Sequence, residues 1–328
     1  RGSMVTGSLF IAATQLLLEG LLGYPQALFR AIGHPVTWIG GLIAGLDRSL
    51  NRENWPFFMR RIMGVLALIC LIFVTGGLAY AIERGLGHYA LGLFAIILLA
   101  ATLPAQRSLD EHVRAVADAL QNEGLEGGRK AVSMIVGRKT DALNEAGVSR
   151  AAIESLAENF SDGVVAPIFW TACFGLTGGV LYKAINTADS MIGHKNDKYH
   201  AFGWTSARLD DLVNLPCSRL SALLIILASL FVRDASPIDA VKCVFRDARK
   251  HRSPNAGWPE SALAGALGYA LAGPRIYGDT LVDDVYMGDG RRELNAADIR
   301  RALYLYRIAC VIQGIVIVGL ALFFTAQA

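Results

Sequence analysis

The sequence has little charge, no cysteine pair and no nucleotide-binding loop. Only 18% of its 328 residues are Asp, Glu, Lys or Arg, where a soluble domain carries about 25%. The net charge of +3 is too small for a typical nucleic-acid-binding protein. The five cysteines form no CxxC pair, which excludes a disulfide scaffold and predicts reduced packing residues. A mean hydropathy of +0.40 makes a water-soluble globule an unsuitable interpretation.

Long uncharged segments predict membrane-spanning helices. Residues 63–82 contain no charge over 20 positions, about the length that crosses a bilayer core as a helix. Residues 89–103 follow after a short link, so these two segments predict a helical hairpin. Residues 308–326 form a third strong apolar segment.

Three further apolar stretches are interrupted or short. Residues 164–181 contain Pro167 and a glycine cluster, and residues 220–232 are too few to cross, so both predict broken or re-entrant elements. The stretch 5–22 is long enough to cross but contains Gln15 and Glu19. An ionisable residue at that depth is costly and usually has a specific role.

The fold predicted is an all-α polytopic integral membrane protein, a helical bundle with about four to six membrane-embedded segments and cytoplasmic helical loops. Residues 1–3 resemble the remnant of an expression tag, and residues 4–328 are expected to form a single integral membrane catalytic domain. The Lys- and Arg-rich segments 104–158, 183–219 and 233–307 are expected to face the cytoplasm.

The 104–158 segment is predicted to begin with an amphipathic helix. Its apolar residues recur at helical spacing, and Ser108 with Glu111 has the spacing of a capping box. The apolar positions are Leu109, Val113, Val116 and Leu120.

Four polar clusters lie beside the apolar segments. In the first, Glu158 and Asp162 stand four residues apart, with Asn159 between them, and Gly163 is expected to end the helix. Two carboxylates and an amide oxygen suit Mg²⁺, although a solvated helix end would look the same. In the second, Lys183, Asn186 and Ser190 share one helix face, with Asp189 nearby and Lys195 just beyond. An internal ion pair between Lys183 and Asp189 is the alternative.

The third and fourth clusters combine cations with acids. Arg208 offers a bidentate grip on phosphate, and Asp210 and Asp211 offer metal or ammonium contacts, unless Arg208 and Asp211 form an ordinary surface pair. In the fourth, a basic run from residue 246 to 252 precedes Ser253, Asn255 and Glu260 at the predicted start of a helix. Basic side chains at a helix N-terminus favour an anion site, whereas a patch on anionic lipid is the alternative.

Taken together, these segments resemble the adenosylcobinamide-phosphate synthase family of integral membrane enzymes. The specific strings are HPVTWIG, MIVGRKT, AENFSDGVVAP, KAINTADSMIGHKNDKY, SARLDD and HRSPNAGWPE, which occur in the family's order over nearly the whole chain. Three positions depart from the family pattern, namely Tyr24, Thr37 and Lys139, and they are left out of the site.

The resemblance implies an ATP-dependent ligase of cobalamin biosynthesis that joins adenosylcobyric acid to aminopropanol phosphate with Mg²⁺. We expect Glu158, Asp162 and Asp189 to hold the metal and ATP to be the co-substrate. The residues that we expect to be catalytic are Lys183, Lys195, Arg208, Asp210, Asp211 and Glu260. Those that we expect to bind substrate are Asn159, Asn186, Ser190, Ser253 and Asn255.

The expected partners are the corrinoid, the amino-alcohol phosphate and the lipid bilayer, with no nucleic acid; a homo-oligomer is an open alternative. The enzyme is expected in the inner membrane with its site facing the cytoplasm. Broken apolar segments with embedded polar groups also mark transporters, so a corrinoid carrier is the main rival, and a non-catalytic membrane sensor is the third interpretation.

Overall fold

A computed structural model describes residues 2–23, 34–137, 139–277, 280–282 and 284–327, without the side chains of residues 2–5, 275–277 and 280–282. Tyr24 and Arg138 lie outside the described residues. Within them the chain forms twelve α-helices and four very short strands. The strands pair antiparallel as two separate ribbons, β1 with β4 and β2 with β3. The all-α prediction is therefore confirmed.

The elements follow one another along the chain. They are α1 (Gly2–Leu22), α2 (Pro35–Leu50), α3 (Phe57–Leu86), α4 (Ala90–Ala100), α5 (Gln106–Asn122), α6 (Gly124–Ser133), α7 (Glu145–Asn159), a π-helical turn (Phe160–Val165), α8 (Ala166–Ile192), α9 (Trp204–Ser229), α10 (Pro237–Asp247), a 3₁₀ turn (Ala248–Lys250), α11 (Gly257–Leu267), β1 (Leu271–Ala272), β2 (Arg275–Tyr277), β3 (Thr280–Val282), β4 (Tyr286–Met287) and α12 (Ala296–Ala326).

Among the described residues, four helical segments are long and apolar enough to cross a membrane: Phe57–Leu86, Glu145–Ile192, Trp204–Ser229 and Ala296–Ala326. The first and last contain the predicted spans 63–82 and 308–326, which are confirmed as long apolar helices. The segment 89–103 contains only the 11 residues of α4, which is a shorter apolar helix. The chain is accordingly a polytopic membrane protein.

One expectation about the weaker segments was wrong. Residues 220–232 look too short to cross, yet most of them are the second part of α9, a helix of 26 residues. The reason is that the polar residues 204–214 continue the same helix before the apolar run begins, and Pro216 is accommodated inside it.

The prediction of a broken element at 164–181 is confirmed. Inside α8, Phe174 has φ −136° and ψ 20°, and Gly175 has φ 66°, so the helix is interrupted there. The carboxylate of Glu83 in α3 accepts hydrogen bonds from the Leu176 N–H (3.2 Å), the Thr177 N–H (3.1 Å) and the Thr177 hydroxyl (2.7 Å). A side chain thus satisfies the free N–H groups that the interruption creates, as a cap does at an ordinary helix start.

The chain divides into two compact units. Unit 1 comprises Arg1–Ala105, Ala166–Asn214 and Val316–Ala328, and unit 2 comprises Gln106–Val165 and Leu215–Ile315. In unit 1, one apolar core joins α2, α3 and α8 through Ile43, Leu71 and Ala188. In unit 2, α7 is buried along nearly its whole length, and the four apolar positions predicted for α5 are all buried. The prediction of a single catalytic domain stays a prediction.

Polar residues in α1 face inward. The side chains of Gln15 and Glu19 are both buried. Burial against protein is the arrangement expected of polar groups in an apolar helix, because contact with lipid would be costly.

Two local expectations were wrong. Helix α5 begins at Gln106, so Ser108 lies inside it and contacts His112 instead of forming a capping box. Gly163 does not end a helix, because the π-helical turn carries the chain through it. Helix α11 ends at Leu267, where Gly268 has φ 72°.

Candidate functional site

Unit 1 brings two of the predicted polar clusters together. Helix α8 carries Lys183, Asn186, Asp189 and Ser190, and α9 carries Arg208, Asp210 and Asp211. The two helices are joined at their polar ends by a connection, residues 193–203, that carries Lys195. The two ends of this connection lie close together, since a Cβ on Gly203 would lie 1.6 Å from the carbonyl oxygen of Ile192.

Hydrogen bonds fix the facing sides of α8 and α9. Asn186 donates its amide to the Asp210 carboxylate at 3.2 Å. One turn further, Tyr182 donates its hydroxyl to the side-chain oxygen of Asn214 at 2.9 Å. Asn214 in turn donates to the backbone oxygen of Asp210 at 3.1 Å. The carboxylate of Asp210 is buried and therefore has a fixed direction.

Carboxylates and basic side chains lie close together at this site. The carboxylate of Asp189 lies close enough to those of Asp210 and Asp211 for electrostatic repulsion. Arg208 contacts Asp211 at 3.3 Å, and Lys195 attracts the same carboxylate. The ordinary i, i+3 pair that was the alternative for Arg208 is therefore present, but it lies next to two further carboxylates.

A set of polar contacts around the buried Asp47 and Asn51 holds the connection from α8 to α9, and sequence reasoning missed it. We call Asp47, Asn51 and Arg60 the clamp. The Asp47 carboxylate accepts hydrogen bonds from Asn51 (2.9 Å), Lys198 (3.0 Å) and the Tyr199 hydroxyl (3.1 Å). Arg60 donates to the Asn51 side chain at 3.0 Å and to the backbone oxygen of Lys198.

The sequence did contain one signal for the clamp. Ile39, Ile43 and Asp47 recur at intervals of four on the buried face of α2. A carboxylate on an apolar stripe is expected to have a partner, because burying an unpaired charge is costly. The hydrogen bonds that Lys198 donates to the Tyr199 hydroxyl and then to Asp47 raise the pKa of Lys198 above its usual value.

His34 lies just before α2, within electrostatic range of Lys183. Its Nδ1 accepts a hydrogen bond from the Val36 N–H at 3.2 Å and so caps α2. Burial, and then the charge of Lys183, lower the pKa of His34 below its usual value. The imidazole therefore stays neutral at physiological pH.

Unit 2 contains the remaining predicted residues. Glu158 and Asn159 lie at the exposed end of α7, and Asp162 is half-buried in the π-helical turn. The Asn159 amide donates to the backbone oxygen of Ser155 at 2.9 Å. π-Helical turns widen a helix locally and are often found at functional sites, and no sequence pattern predicted this one.

At the start of α11, the predicted substrate-binding residues also support the local structure. The Ser253 hydroxyl accepts hydrogen bonds from the N–H groups of Asn255 and Ala256, both at 3.2 Å. Asn255 is buried, and its side-chain oxygen accepts from Ser218 at 3.0 Å and Arg219 at 3.1 Å. Ser253 and Asn255 thus stabilise the turn before α11 whether or not they also bind substrate.

Glu260 lies on the next turn of the same helix. It is buried, and its Oε2 lies 3.7 Å from Nε2 of His251. His251 itself accepts a hydrogen bond from the Ser253 N–H at 3.0 Å. The imidazole thus connects the Glu260 carboxyl to the turn before α11.

The basic run before α11 is partly neutralised by the protein's own acids. The buried Asp247 carboxylate accepts hydrogen bonds from Arg246 (2.7 Å), Lys250 (3.0 Å) and the Gly288 N–H (3.0 Å). Burial alone raises the pKa of Asp247, but these three donors outweigh it and hold the pKa well below its usual value. Two of the cations expected to bind an external anion therefore stabilise this turn.

The cysteines behave as packing residues within the described part of the chain, where all five are free and three are buried. Burial, followed by the charge of Asp247, raises the pKa of the Cys243 thiol to about 12. That thiol is therefore protonated at physiological pH.

Over the described residues, no group of three or more His, Cys, Asp or Glu side chains is arranged to hold a metal ion by itself. Mg²⁺ needs fewer protein ligands, because it usually binds one or two carboxylates and completes its shell with water and phosphate oxygens. The mutually repelling carboxylates near Asp189 are hard oxygen donors whose repulsion a divalent cation would relieve. The donor set of unit 1 thus fits Mg²⁺ bound together with a phosphate.

Comparisons with known proteins identify the family. A family model described as CobD/Cbib protein matches residues 12–306. A protein of a Sinorhizobium species named cobalamin biosynthesis protein CobD is 47% identical over 317 residues, which cover 96% of this chain and 98% of that protein. Proteins of the same name from Rhizobium meliloti strain 1021 and Rhodobacter capsulatus are 48% and 49% identical, over 96% and 90% of this chain and 97% and 92% of theirs. No solved structure matches significantly. The chain belongs to the CobD/CbiB family.

Proposed function

We propose that this protein is an ATP-dependent ligase that condenses adenosylcobyric acid with aminopropanol phosphate to give adenosylcobinamide phosphate. Family membership and the names of the relatives support a role in cobalamin biosynthesis. The observation that carries the ligase assignment is the grouping of acids and cations on α8 and α9 in unit 1. Such a mixture suits phosphoryl transfer, which depends on positioning and on neutralising charge.

The reaction needs an activated acid, because a carboxylate and an ammonium form a salt in water at neutral pH. In the proposed first step, a carboxylate oxygen of adenosylcobyric acid attacks the γ-phosphorus of ATP, and ADP leaves with the electrons of the broken bond. Lys183, Lys195 and Arg208 neutralise the phosphoryl oxygens during this transfer. No P-loop is available in the sequence for that purpose.

In the proposed second step, the amine nitrogen attacks the acyl carbon, and inorganic phosphate leaves. The ammonium must first lose a proton, which Asp210, Asp211 or Glu260 accepts. Asp210 is suited to bind the ammonium because it is buried and its direction is fixed by Asn186. Asp211 already balances Arg208 at 3.3 Å.

Mg²⁺ is proposed as the metal, with Asp189 as its carboxylate ligand in unit 1; Glu158 and Asp162 are proposed as metal-binding carboxylates of unit 2. When bound, it would neutralise phosphate charge and orient the γ-phosphoryl group. Asn159, Asn186, Ser190, Ser253 and Asn255 are proposed to bind the substrates through hydrogen bonds. The site is proposed to face the cytoplasm from the inner membrane, where ATP is available.

The test is an assay of the purified protein in detergent with adenosylcobyric acid, aminopropanol phosphate, ATP and Mg²⁺. Amide product and ADP are measured in the same samples. Asp189→Asn and Lys183→Met are each expected to lower turnover by about 10²-fold, the usual effect of removing one charge from such a site.

The matched control is Asp118→Asn, which makes the same chemical change in an exposed pair with Arg300. It is expected to keep normal turnover. Near-normal turnover in both site variants, with the fold intact, would contradict the assignment of these residues. Absence of amide and ADP from the folded wild-type protein would contradict the ligase itself.

A corrinoid carrier is the second candidate, favoured by the interrupted helix at Gly175. Discontinuous helices often surround the substrate site of a transporter. Cysteines placed at Ser190 and Ser253, in a chain whose partly exposed Cys70 and exposed Cys173 are changed to serine, distinguish the two. A ligase predicts labelling of both positions from the cytoplasm only, whereas a carrier predicts substrate-dependent labelling from both sides.

A further inference from the structure

Helix α10 exposes an apolar face in unit 2. Ile238, Val241 and Phe245 are 66%, 37% and 81% exposed. Positions three and seven residues apart lie on one side of an α-helix, so these side chains form one outward stripe. Exposed apolar side chains that lie together in this way form a candidate contact surface.

The orientation of this stripe is fixed by the opposite face of α10. Ala240, Cys243, Val244 and Asp247 are buried there. Helix α11 packs closely on this side, because a Cβ on Gly265 would lie 2.5 Å from the backbone oxygen of Asp239. Ser236 caps the helix by accepting from the Asp239 N–H at 3.1 Å, with Pro237 next in sequence. The helix cannot rotate to bury its outer stripe without losing this packing.

The start of α10 lies at the ends of two long apolar helices. Helix α9 ends at Ser229, and the exposed Leu230 and Phe231 continue its apolar surface. Arg301, near the start of α12, donates to the backbone oxygen of Asp234 at 2.6 Å. Because both helices are long enough to cross a bilayer, residues 230–236 are expected near the level of a membrane surface.

Cations border the stripe. Lys242 follows Val241 directly, and Arg249 lies close to the line of the stripe, one turn beyond Phe245. Both are exposed. Helices that lie flat in the headgroup layer have this composition, with apolar side chains toward the acyl chains and basic side chains at the phosphates.

We propose that the outward face of α10, formed by Ile238, Val241 and Phe245, lies in the headgroup region of a bilayer that contains anionic phospholipid. The surface is continuous with the apolar surface at the end of α9. Lys242 and Arg249 contact lipid phosphates at its border. The role goes beyond the proposed ligase reaction, since it concerns how unit 2 contacts the membrane.

The test places a nitroxide on Phe245→Cys in the full chain, with Cys70 and Cys173 changed to serine, in vesicles of phosphatidylcholine and phosphatidylglycerol. Collision rates are measured with oxygen, which concentrates in lipid, and with a water-soluble nickel complex. The control label is on Asp239→Cys, because this exposed side chain lies on the flank of the same helix.

The label at position 245 is expected to collide more with oxygen than with the nickel complex, and the label at 239 is expected to show the reverse. Removing phosphatidylglycerol, or combining Lys242→Gln with Arg249→Gln, is expected to move the 245 label toward water. Preferred collision with nickel at 245 would overturn the proposal. Low rates with both reagents together with spin–spin broadening would also overturn it, because they would show a second copy of the chain on this face.

Discussion

Replacing Asp47 by asparagine tests whether the clamp positions the connection between α8 and α9. Asp47→Asn keeps the size of the side chain and one oxygen acceptor, but it removes the negative charge. In the unchanged protein, the Asp47 carboxylate accepts hydrogen bonds from Asn51 (2.9 Å), Lys198 (3.0 Å) and Tyr199 (3.1 Å), and the Asp47 side chain is only 11% exposed. At least one donor of the three therefore loses its partner.

The expected loss of stability is moderate. A hydrogen bond to a charged group contributes about 1.5–3 kcal/mol, but Lys198 is 48% exposed, so solvent screening reduces its share. We expect a total loss of about 1–3 kcal/mol, which corresponds to a melting temperature lower by about 2–6 °C for a chain of this size.

The effect on activity is expected to be larger than the effect on stability. The connection 193–203 carries Lys195 and joins the elements that carry Asp189 and Arg208. A displacement of about 1 Å can cost roughly 10²-fold in rate, so we expect kcat for amide formation to fall between about 10-fold and 100-fold. Hydrogen exchange measured by mass spectrometry is expected to increase in residues 193–203 and to stay unchanged in α5. Normal kcat together with the predicted loss of melting temperature would refute a positioning role and leave the clamp purely structural.

The remaining predictions concern stability. The pKa of His34 is lowered in the folded protein, so the unfolded chain binds its proton first and stability falls as pH drops below about 6.5. The variant His34→Asn keeps an acceptor for the Val36 N–H and is expected to lessen that fall in melting scans. An unchanged pH profile would contradict this. Glu83→Gln is expected to cost about 1–2 kcal/mol, and Gly175→Ala more, because its Cβ would lie 2.0 Å from the Glu83 carboxylate at φ 66°; the reverse order of melting temperatures would refute the capping role. The pKa of Asp247 is lowered in the folded protein, so its stabilising charge is present at neutral pH and is lost only as pH falls through the range below about 4. The variant Asp247→Asn is expected to lower the melting temperature at pH 7 and to differ less from wild type in acid. An equal difference at both pH values would contradict this.

The membrane helices could be predicted from the sequence because their signal is local. Residues 63–82 and 308–326 are long uncharged runs, and hydrophobic length alone decides whether such a segment spans. The interruption at Gly175 was also predictable, since glycine and proline there weaken the helix. The length of helix α9 was underestimated because its first part carries Arg208, Asp210 and Asp211. The apolar run that follows these charged residues is only part of the helix.

The site could be predicted only in part, because its supports come from residues far apart in the sequence. The motifs named Asn186 and Asp210, but not the hydrogen bond that joins them or the distant Asp47 that holds Lys198. The sequence also suggested a ligand where the structure shows an internal contact. The basic run that contains Arg246 and Lys250 was expected to bind an external anion. A single buried acid, Asp247, binds both, and only tertiary structure reveals that pairing.

The most direct test of the ligase claim follows oxygen atoms. Adenosylcobyric acid with ¹⁸O at both oxygens of its reacting carboxylate is incubated with the purified protein, aminopropanol phosphate, ATP and Mg²⁺, and the released inorganic phosphate is analysed by mass spectrometry. Activation by ATP predicts one ¹⁸O atom in the phosphate for each amide formed, with an equal amount of ADP. Amide formed with unlabelled phosphate, or label recovered in AMP, would contradict the proposed phosphoryl transfer to the carboxylate.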